Sequence, residues 1–245
     1  MYYKIDWAIV VPMANEEADF SPFIDAVTMV LNRMASGRVY LIVDTVSRDH
    51  TLDLCQEQSS RDPRFTTIWA PENRNVVDAY QRGFLAAYEA GHEIIIEMDA
   101  GMSHDPRAIP MFIRVLNEGN ECAFGSRFIN GGSMSDSSLY RRLLSRVGTM
   151  LSNLLLGSRM CDMTSGFQGF HTAVVGKLLN YKLLSKAHFY QTEVRYLLRR
   201  HRFAEIPIHY KAPSPSVSRS AIANSLSVLL FYTVQRFKGN SRIIK

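Results

Sequence analysis

The sequence predicts an α/β fold in which a mostly parallel, doubly wound sheet is flanked by helices. Residues 1–128 alternate short β-like runs with helical patterns, which is typical of a parallel sheet covered by helices. Polar residues directly follow several of these runs, as they do where strands present ligand groups at their carboxyl ends. Hydrophobic residues make up 47% of the chain and charged residues 21%, an ordinary balance for a globular protein.

The first half of the chain contains five predicted strands. They lie at residues 7–13, 38–44, 65–70, 93–99 and 121–128. Between them, Ser21 is the expected N-cap of the first helix, with Pro22 at the first helical position. Gly91 and Gly119 are expected to close the third and fourth helices, because glycine is favoured just past a helix end.

The pattern changes after residue 128 to the Gly/Ser-rich segment INGGSMSDSS. Helical patterns follow at residues 138–156, 173–184 and 190–202, then a strand at 204–210, the loop KAPSPSVSRS and a last helix at 221–237. There is no internal repeat and no linker long enough to divide the chain. We therefore expect one domain over residues 1–245, built from two halves, 1–128 and 129–245.

Composition and charge restrict the cellular location and the binding partners that can be expected. The three cysteines are far apart and lack histidines at metal-ligand spacing, which indicates neither disulfides nor zinc and favours the cytoplasm. The N-terminal residues indicate a buried strand rather than a signal peptide, and the apolar run at 226–234 is shorter than the roughly 20 residues that cross a bilayer. The net charge of +5 suits phosphate-bearing partners, but the scattered basic residues argue against nucleic acid.

Four segments contain the candidate binding and catalytic residues. They are VVPMANEE at 10–17, VDTVSRDHT at 43–51, MDAGMSH at 98–104 and DMTSGFQ at 162–168. The first three follow predicted strands, and the carboxyl ends of parallel strands lie along one edge of a sheet. We therefore expect the segments to converge on one crevice.

These segments, in this order, resemble the nucleotide-sugar-dependent glycosyltransferases of family 2, and most closely the dolichyl- and polyprenyl-phosphate sugar synthases of the dolichol-phosphate mannosyltransferase type. Pro12, Asn15 and Glu16 match the family's Pro-x-x-Asn-Glu, and the resemblance covers roughly residues 7–237. It implies the GT-A fold, with a nucleotide-diphosphate sugar bound by residues 1–128 and an acceptor bound by 129–245. It also implies inverting transfer of the sugar to a polyprenyl phosphate.

The resemblance assigns the donor pocket to residues of the first two segments. The alternative for Asp44, Ser47 and Asp49 is that they cap the helix that begins near Thr51. Thr45 and Val46 replace the family's Asp-Gly, so the nucleotide base stays unassigned. The implied donor-binding residues are Pro12, Asn15, Glu16, Asp44, Ser47, Asp99, Ala100 and Gly101.

The resemblance makes Asp99 the ligand of a divalent cation, Mg²⁺ or Mn²⁺. A cation held by carboxylates stabilises the charge that grows on a diphosphate leaving group. Gly101 stands where the family has the second acid of its Asp-x-Asp motif, so we expect weak metal binding. Two alternatives stay open, which are neutralisation of the diphosphate by arginines and a nucleotide-sugar-binding protein without turnover.

The resemblance also assigns the acceptor side. Asp162 is the implied general base or acceptor-positioning carboxylate, and the alternative is a buried loop carboxylate satisfied by Thr164 and backbone amides. A hydroxyl acceptor on a glycan, lipid or small molecule requires a base, whereas a lipid phosphate is already anionic. Gln168 replaces a family arginine, which favours the hydroxyl acceptor. The implied phosphate-binding arginines are Arg127, Arg141, Arg142 and Arg219, the last in a loop that closes over the diphosphate.

Two helices carry broad apolar faces. The helix at 138–156 has seven apolar residues on one side, from Leu139 to Leu155, and this pattern fits either core packing or a membrane interface. The helix at 221–237 offers a second apolar surface for membrane contact or for a homo-oligomer interface. We therefore expect a cytoplasmic protein with peripheral contact at the cytoplasmic face of a membrane.

Overall fold

A computed structural model describes residues 5–187, 189–211, 219–240 and 242–244. The first half contains β1 (Trp7–Met13), α1 (Phe20–Arg33), β2 (Gly37–Val43), α2 (Thr51–Arg61), β3 (Phe65–Trp69), α3 (Val76–Glu89), β4 (Ile94–Glu97), α4 (Ile109–Asn117) and β5 (Cys122–Ser126). The second half contains α5 (Leu139–Leu156), β6 (Gln168–His171), α6 (Thr172–Leu179), α7 (Tyr190–Leu197), β7 (Phe203–Pro207) and α8 (Arg219–Phe237).

The strands form one seven-stranded sheet in the order β3-β2-β1-β4-β6-β5-β7. All paired neighbours are parallel except β6, which runs antiparallel to both β4 and β5. The expected mostly parallel α/β sheet is therefore confirmed, but the sequence prediction missed β6. This strand has four residues and begins with a polar glutamine, so it lacks the apolar run by which the other strands are recognised.

Apolar side chains pack on both faces of the sheet, with a separate cluster of buried residues on each face. Ile94, Ile95 and Ile96 of β4 are fully buried, as expected for a strand covered by helices on both sides. Helix α3 lies very close to β1, where a Cβ added at Gly83 would lie 2.1 Å from Cγ1 of Val10. Glycine at this position lets the helix approach the sheet.

Three predicted helix boundaries were wrong, and the strand predicted at 204–210 ends at Pro207. Helix α1 begins at Phe20 after Asp19, so Ser21 is not its N-cap. Helix α6 ends at Leu179 rather than at residue 184, because the amides of Leu184 and Ser185 donate to the Glu193 carboxylate instead of continuing the helix.

The third of these boundaries is the end of α7, which stops at Leu197 rather than at residue 202. The ring of His201 contacts the Glu121 carboxylate and the carbonyl of Ile244. These contacts hold the chain in a turn that leads into β7.

Helices α5 and α8 pack against each other and leave many apolar side chains in solvent. In the described part of the chain, no helix combines the length and the apolar character needed to cross a bilayer. The exposed residues on α5 are Leu139, Tyr140, Leu143, Leu144, Val147, Met150, Leu151 and Leu154, and those on α8 are Ile222, Leu226, Leu230, Val234 and Phe237.

Candidate active site

The loops after β1 and β2 are joined by Asn15. Its backbone φ is +59°, in the left-handed region that asparagine tolerates better than most residues. The Asn15 amide nitrogen donates to Ser47 Oγ at 3.0 Å, its side-chain nitrogen donates to the carbonyl of Val46, and its side-chain oxygen accepts from the amide of Arg48. Asn15 and Ser47 therefore link the two loops. Pro12, near the end of β1 and three residues before Asn15, is half-buried.

Glu16 lies at the centre of these loops. Its amide donates to Thr51 Oγ1 at 2.9 Å, which fixes its backbone against the start of α2. Burial raises the pKa of the Glu16 carboxyl to about 7, and the charges of Asp19, Asp99 and Asp49 act in the same direction. Four acids thus surround a small region at the carboxyl end of the sheet.

Asp44 and Asp49 have different roles in the loop after β2. Asp44 is buried and accepts a hydrogen bond from the amide of Val46 at 2.9 Å. Asp49 accepts from both the amide and the hydroxyl of Thr51, the first residue of α2. Burial opposes ionisation of Asp49, but hydrogen bonds from Thr51, Glu17 and Ser47 lower its pKa to about 2. The helix-capping contacts are therefore made by Asp49 rather than by Asp44.

Asp99 follows β4 and lies on the same edge of the sheet as Asp44, because β4, β1 and β2 are parallel neighbours. The Tyr80 hydroxyl donates to Asp99 Oδ1 at 2.6 Å, and His104 Nε2 lies 3.4 Å from Oδ2. Burial and the nearby acids hold the pKa of Tyr80 well above its ordinary value, so Tyr80 stays a protonated donor. Ala100, the next residue, is buried.

A divalent cation fits this edge of the sheet only if the protein supplies few of its ligands. Among the described residues there is no group of three or more histidines, cysteines and acids that could hold a metal ion. Asp99 is exposed on one side and Glu16 approaches Gly101 beside it. Two carboxylates suffice for Mg²⁺ or Mn²⁺ when water and phosphate oxygens complete the coordination.

Asp99 also lines a cavity of about 290 Å³ that extends towards the second half of the chain. The same cavity is lined by Arg127 and Arg141, by His104 and Tyr210, and by residues of α5, α7 and α8. Two of the predicted arginines and the predicted metal ligand therefore share one cavity. It is large enough for a small group such as a phosphate or part of a sugar.

Among the described residues that line this cavity, Arg142 is absent. The Arg142 guanidinium donates to the backbone carbonyls of Met134, Ser135 and Ser137, so it holds the segment before α5. Arg142 also lines a neighbouring cavity of about 220 Å³. The side chain of Arg219 lies outside the described residues, although its backbone begins α8.

Asp162 is fully buried and paired with Arg127. Its two oxygens accept from Arg127 Nε at 2.7 Å and Nη2 at 2.9 Å, and Oδ1 also accepts from the amide of Thr164. Burial works against the Asp162 charge, but the Arg127 guanidinium lowers its pKa to about 2. This geometry favours the buried loop carboxylate over a general base, since a base must be within reach of the acceptor proton.

The sequence interpretation missed a buried polar network behind the cavity. Arg195 is fully buried on α7 and donates to the carbonyls of Asp162, Gly125 and Ser165. The burial lowers the pKa of Arg195 to about 10. Every residue of α7 is buried, although four of its eight are polar or charged. A helix with this many polar residues is normally expected at the surface, so its burial could not be recognised from the sequence without knowing the hydrogen-bond partners of those residues.

Glu97 belongs to the same network, two residues before Asp99. It is fully buried and accepts from Tyr190 Oη at 2.7 Å and from Gln168 Nε2. Burial raises the pKa of Glu97 to about 8. Gln168 lies directly opposite Glu97 in the β4/β6 pair, so the residue that replaces the family arginine has a structural partner here.

The fold and this edge of the sheet define a sugar-transferring enzyme of the GT-A type, and the family follows from comparison with known sequences. The family model described as Glycosyl transferase family 2 matches residues 8–179. The chain belongs to this family, as its motifs indicated, and it is a glycosyltransferase.

Three curated relatives have related names. The chain is 25% identical to undecaprenyl-phosphate mannosyltransferase of Micrococcus luteus over 82% of both chains. It is 26% identical to polyprenol monophosphomannose synthase of Mycolicibacterium smegmatis, over 88% of this chain and 81% of the relative. Dolichol-phosphate mannosyltransferase of Pyrococcus furiosus is 28% identical over 69% of this chain and 47% of its own length.

Solved structures share the fold at lower identity. The crystal structure of glucosyl-3-phosphoglycerate synthase from Mycobacterium tuberculosis superposes with a TM-score of 0.69 at 15% identity, over 96% of this chain and 81% of that chain. The complex of that enzyme with Mn²⁺, uridine-diphosphate-glucose and phosphoglyceric acid gives a TM-score of 0.64 at 18% identity, over 96% and 80%. The predicted GT-A fold is thereby confirmed.

Proposed function

We propose that the protein transfers a sugar from a nucleotide-diphosphate sugar to a polyprenyl phosphate, with inversion at the anomeric carbon. The observation that carries this proposal is the single cavity in which Asp99 faces Arg127 and Arg141. The curated relatives are named for transfer to undecaprenyl phosphate, polyprenol phosphate and dolichol phosphate. Residues 1–128 bind the donor and residues 129–245 bind the acceptor.

On the donor side, Asp44 and the unit formed by Asn15 and Ser47 hold the nucleotide beside Pro12. Asp99 would hold a divalent cation, with Glu16 lining the same donor pocket, and the cation would supply charge stabilisation for the departing diphosphate. Related folds have been crystallised with Mn²⁺ and uridine diphosphate. Tyr80 orients the Asp99 carboxylate through its 2.6 Å hydrogen bond, so that one oxygen of Asp99 faces the cavity.

On the acceptor side, Arg127 and Arg141 bind the lipid phosphate. Asp162 occupies the Nε and Nη2 groups of Arg127, and this pairing orients the guanidinium of Arg127 at the cavity wall. A phosphate oxygen is already anionic and attacks the anomeric carbon without loss of a proton. The burial and pairing of Asp162 thus agree with a phosphate acceptor better than with a hydroxyl acceptor.

The acceptor is a membrane lipid, and the exposed apolar faces of α5 and α8 provide the contact with its membrane. Leu144, Ser145 and Gly148 of α5 and Ser225 of α8 line the cavity, so these two helices connect the proposed lipid surface with the site of transfer. Arg141 and Arg146 on α5 are cationic groups that an anionic membrane surface would attract. We propose peripheral binding at the cytoplasmic face.

Transfer is tested with a panel of radiolabelled nucleotide-diphosphate sugars, with and without Mn²⁺, and with polyprenyl phosphate or the matching unphosphorylated polyprenol as acceptor. We expect labelled product in the organic phase with at least one donor, only with the phosphorylated lipid. Arg141→Ala, which removes a proposed phosphate contact on an exposed helix, is expected to raise the KM for the lipid. Transfer to the polyprenol instead would contradict the phosphate acceptor, and donor binding without turnover would contradict the enzymatic proposal.

A further inference from the structure

Gly101 has a backbone conformation that favours glycine, and a side chain at this position would lie against the carboxylate of Glu16. Its φ is +70°, and a Cβ added there would lie 2.9 Å from Oε2 of Glu16. A side chain at 101 is therefore less favourable than glycine, although aspartate tolerates this region better than most residues, and it displaces the carboxylate at the end of the Glu16 side chain. The place where the family carries its second acid is filled, in this protein, by the carboxylate of Glu16 coming from the opposite loop.

The backbone of Glu16 is fixed by hydrogen bonds, whereas its carboxylate accepts none from the part of the chain that the structure describes. Its amide is bonded to Thr51 Oγ1, and the adjoining Asn15 ties the two loops together. Among the residues described by the structure, no side chain or amide donates to the Glu16 carboxylate. Its charged neighbours are Asp19, Asp99 and Asp49, all acids. A partly buried carboxylate among like charges is unfavourable unless a cation compensates it.

We propose that Glu16 supplies the second protein carboxylate of the cation site, in place of the acid that is absent at position 101. This inference rests on the proposed function, in which a divalent cation binds the donor diphosphate beside Asp99. Mg²⁺ requires oxygen ligands in an octahedral arrangement and is commonly bound by one or two protein carboxylates together with waters and substrate phosphates. A carboxylate from the loop after β1 can therefore do the work of one from the loop after β4.

If Glu16 is a cation ligand, the effect of an acid at position 101 depends on the residue at position 16. In the wild-type protein, Gly101→Asp adds an acid where Glu16 already lies, so the two side chains exclude each other. When Glu16 is shortened to alanine, the obstructing carboxylate is gone and an aspartate at 101 has room. The effect of Gly101→Asp on Mn²⁺ binding is therefore expected to depend on whether Glu16 is present.

The experiment measures Mn²⁺ binding to the full chain by titration calorimetry and by electron paramagnetic resonance, each with and without UDP or GDP. Glu16→Gln is expected to weaken Mn²⁺ binding about tenfold or more, as loss of a metal-site residue does. Glu17→Gln is the matched control, because Glu17 is the adjacent acid and its carboxylate contacts His50 instead. It is expected to change Mn²⁺ binding less than about twofold, in line with a screened surface charge.

The double variant Glu16→Ala with Gly101→Asp gives the decisive comparison. We expect it to bind Mn²⁺ more tightly than Glu16→Ala alone, whereas Gly101→Asp alone does not bind more tightly than the wild type. Circular dichroism of each variant checks that the fold is retained. Equal Mn²⁺ affinity of Glu16→Gln and the wild type would overturn the inference, as would a wild-type protein that binds no Mn²⁺ even with a nucleoside diphosphate.

Failure of this inference is distinguishable from failure of the proposed function. If the wild type transfers sugar to polyprenyl phosphate while its Mn²⁺ affinity is insensitive to Glu16, the inference alone is overturned. If Mn²⁺ binding depends on Glu16 as described but no donor yields labelled lipid, the proposed acceptor is wrong and the assignment of Glu16 is supported.

Discussion

At the scale of single residues, the pair of Asp162 and Arg127 combines a stabilising and a positioning role. Both side chains are buried, and the carboxylate accepts two hydrogen bonds from the guanidinium. Removal of one partner of such a pair leaves a buried charge without compensation. Asp162 therefore contributes to the stability of the fold and, in the proposed function, also positions Arg127 in the acceptor site.

We predict that Asp162→Asn lowers the free energy of unfolding by about 3–5 kcal/mol, as expected when a buried ion pair loses one member. Urea unfolding followed by circular dichroism measures this change. Glu57→Gln is the comparison, because Glu57 pairs with Arg61 on the surface of α2 and such pairs contribute about 1 kcal/mol or less. Equal losses in the two variants would contradict the assigned difference in burial.

The pH dependence of stability follows from the same pair. The pKa of Asp162 is lowered from 3.8 to about 2 in the folded protein. Because the folded-state pKa is the lower one, the stabilisation is fully present above pH 3.8 and is lost as the pH falls towards 2. We predict that the free energy of unfolding of the wild type falls more steeply over this interval than that of Asp162→Asn, as measured by urea unfolding at several pH values.

Asp49 and Asp105 also have pKa values lowered to about 2. Both remain in the Asp162→Asn variant, so their contributions cancel in the comparison. Parallel pH profiles for the two proteins would show that Asp162 is not paired in solution.

Tyr80 allows a test of Asp99 that leaves the packing intact. Tyr80→Phe removes the hydroxyl that donates to Asp99 and keeps the ring that stacks on Tyr190 at 5.3 Å between centroids. We predict a loss of about 10–100-fold in Mn²⁺-dependent donor affinity, the usual effect of removing a group that orients a metal ligand. Calorimetric titration with UDP measures it, and donor affinity without metal is expected to stay constant.

The residues of the donor edge could be predicted from the sequence, because each follows a strand and parallel strands end on one side. The pairing of Asp162 with Arg127 could not be predicted from the sequence. Arg127 lies 35 residues earlier in the chain, and only the insertion of β6 beside β5 brings the two together. Similarly, nothing local in the sequence shows that Glu16 approaches Gly101.

At the scale of secondary structure elements, the close contact between α3 and β1 limits the size of the side chain at position 83 of α3. We predict that Gly83→Ala lowers the free energy of unfolding by about 1–3 kcal/mol, because the added methyl group overlaps Val10 in a closely packed core. Val10→Ala in the same protein removes the overlapping methyl group. The double variant is therefore expected to lose less than the sum of the two single losses, as measured by a double-mutant cycle in urea. Additive losses would contradict the close contact.

Most elements were recognisable from hydrophobic patterns, but β6 was not. Its first residue, Gln168, is polar and yet fully buried, because Glu97 on β4 lies opposite and accepts its hydrogen bond. A polar residue in a strand is interpretable only when its partner is known. The ends of α6 and α7 were missed for a similar reason, since the side chains of Glu193 and His201 hold the following segments out of the helix.

At the scale of the whole molecule, the exposed apolar faces of α5 and α8 form the proposed membrane surface. We predict that Leu143→Ser combined with Leu154→Ser reduces binding to vesicles that contain anionic lipid, because both side chains are largely exposed, at 62% and 70%, and their burial in a membrane is favourable. Vesicle flotation measures this. Met29→Ser is the control, because Met29 is 48% exposed on α1. Equal loss of binding in the control would contradict the assigned surface.

The sequence left two interpretations of α5 open, core packing and a membrane interface, since both produce an apolar face at helical spacing. The structure shows that eight apolar side chains of α5 lie in solvent, so packing in the core does not account for them. That distinction depends on how much of the surface α8 covers, and no local pattern contains it.

Strand β6 also determines the order in which the sheet can be completed. The edge of β4 that faces β6 has no neighbour until residues 168–171 have been synthesised, and β4 carries three consecutive isoleucines. In a nascent or truncated chain that stops after β5, the backbone groups on this edge of β4 would be unpaired and could pair with strands of other chains. Cutting the protein at residue 128, between its two halves, would therefore yield an aggregating fragment rather than an independent donor-binding module.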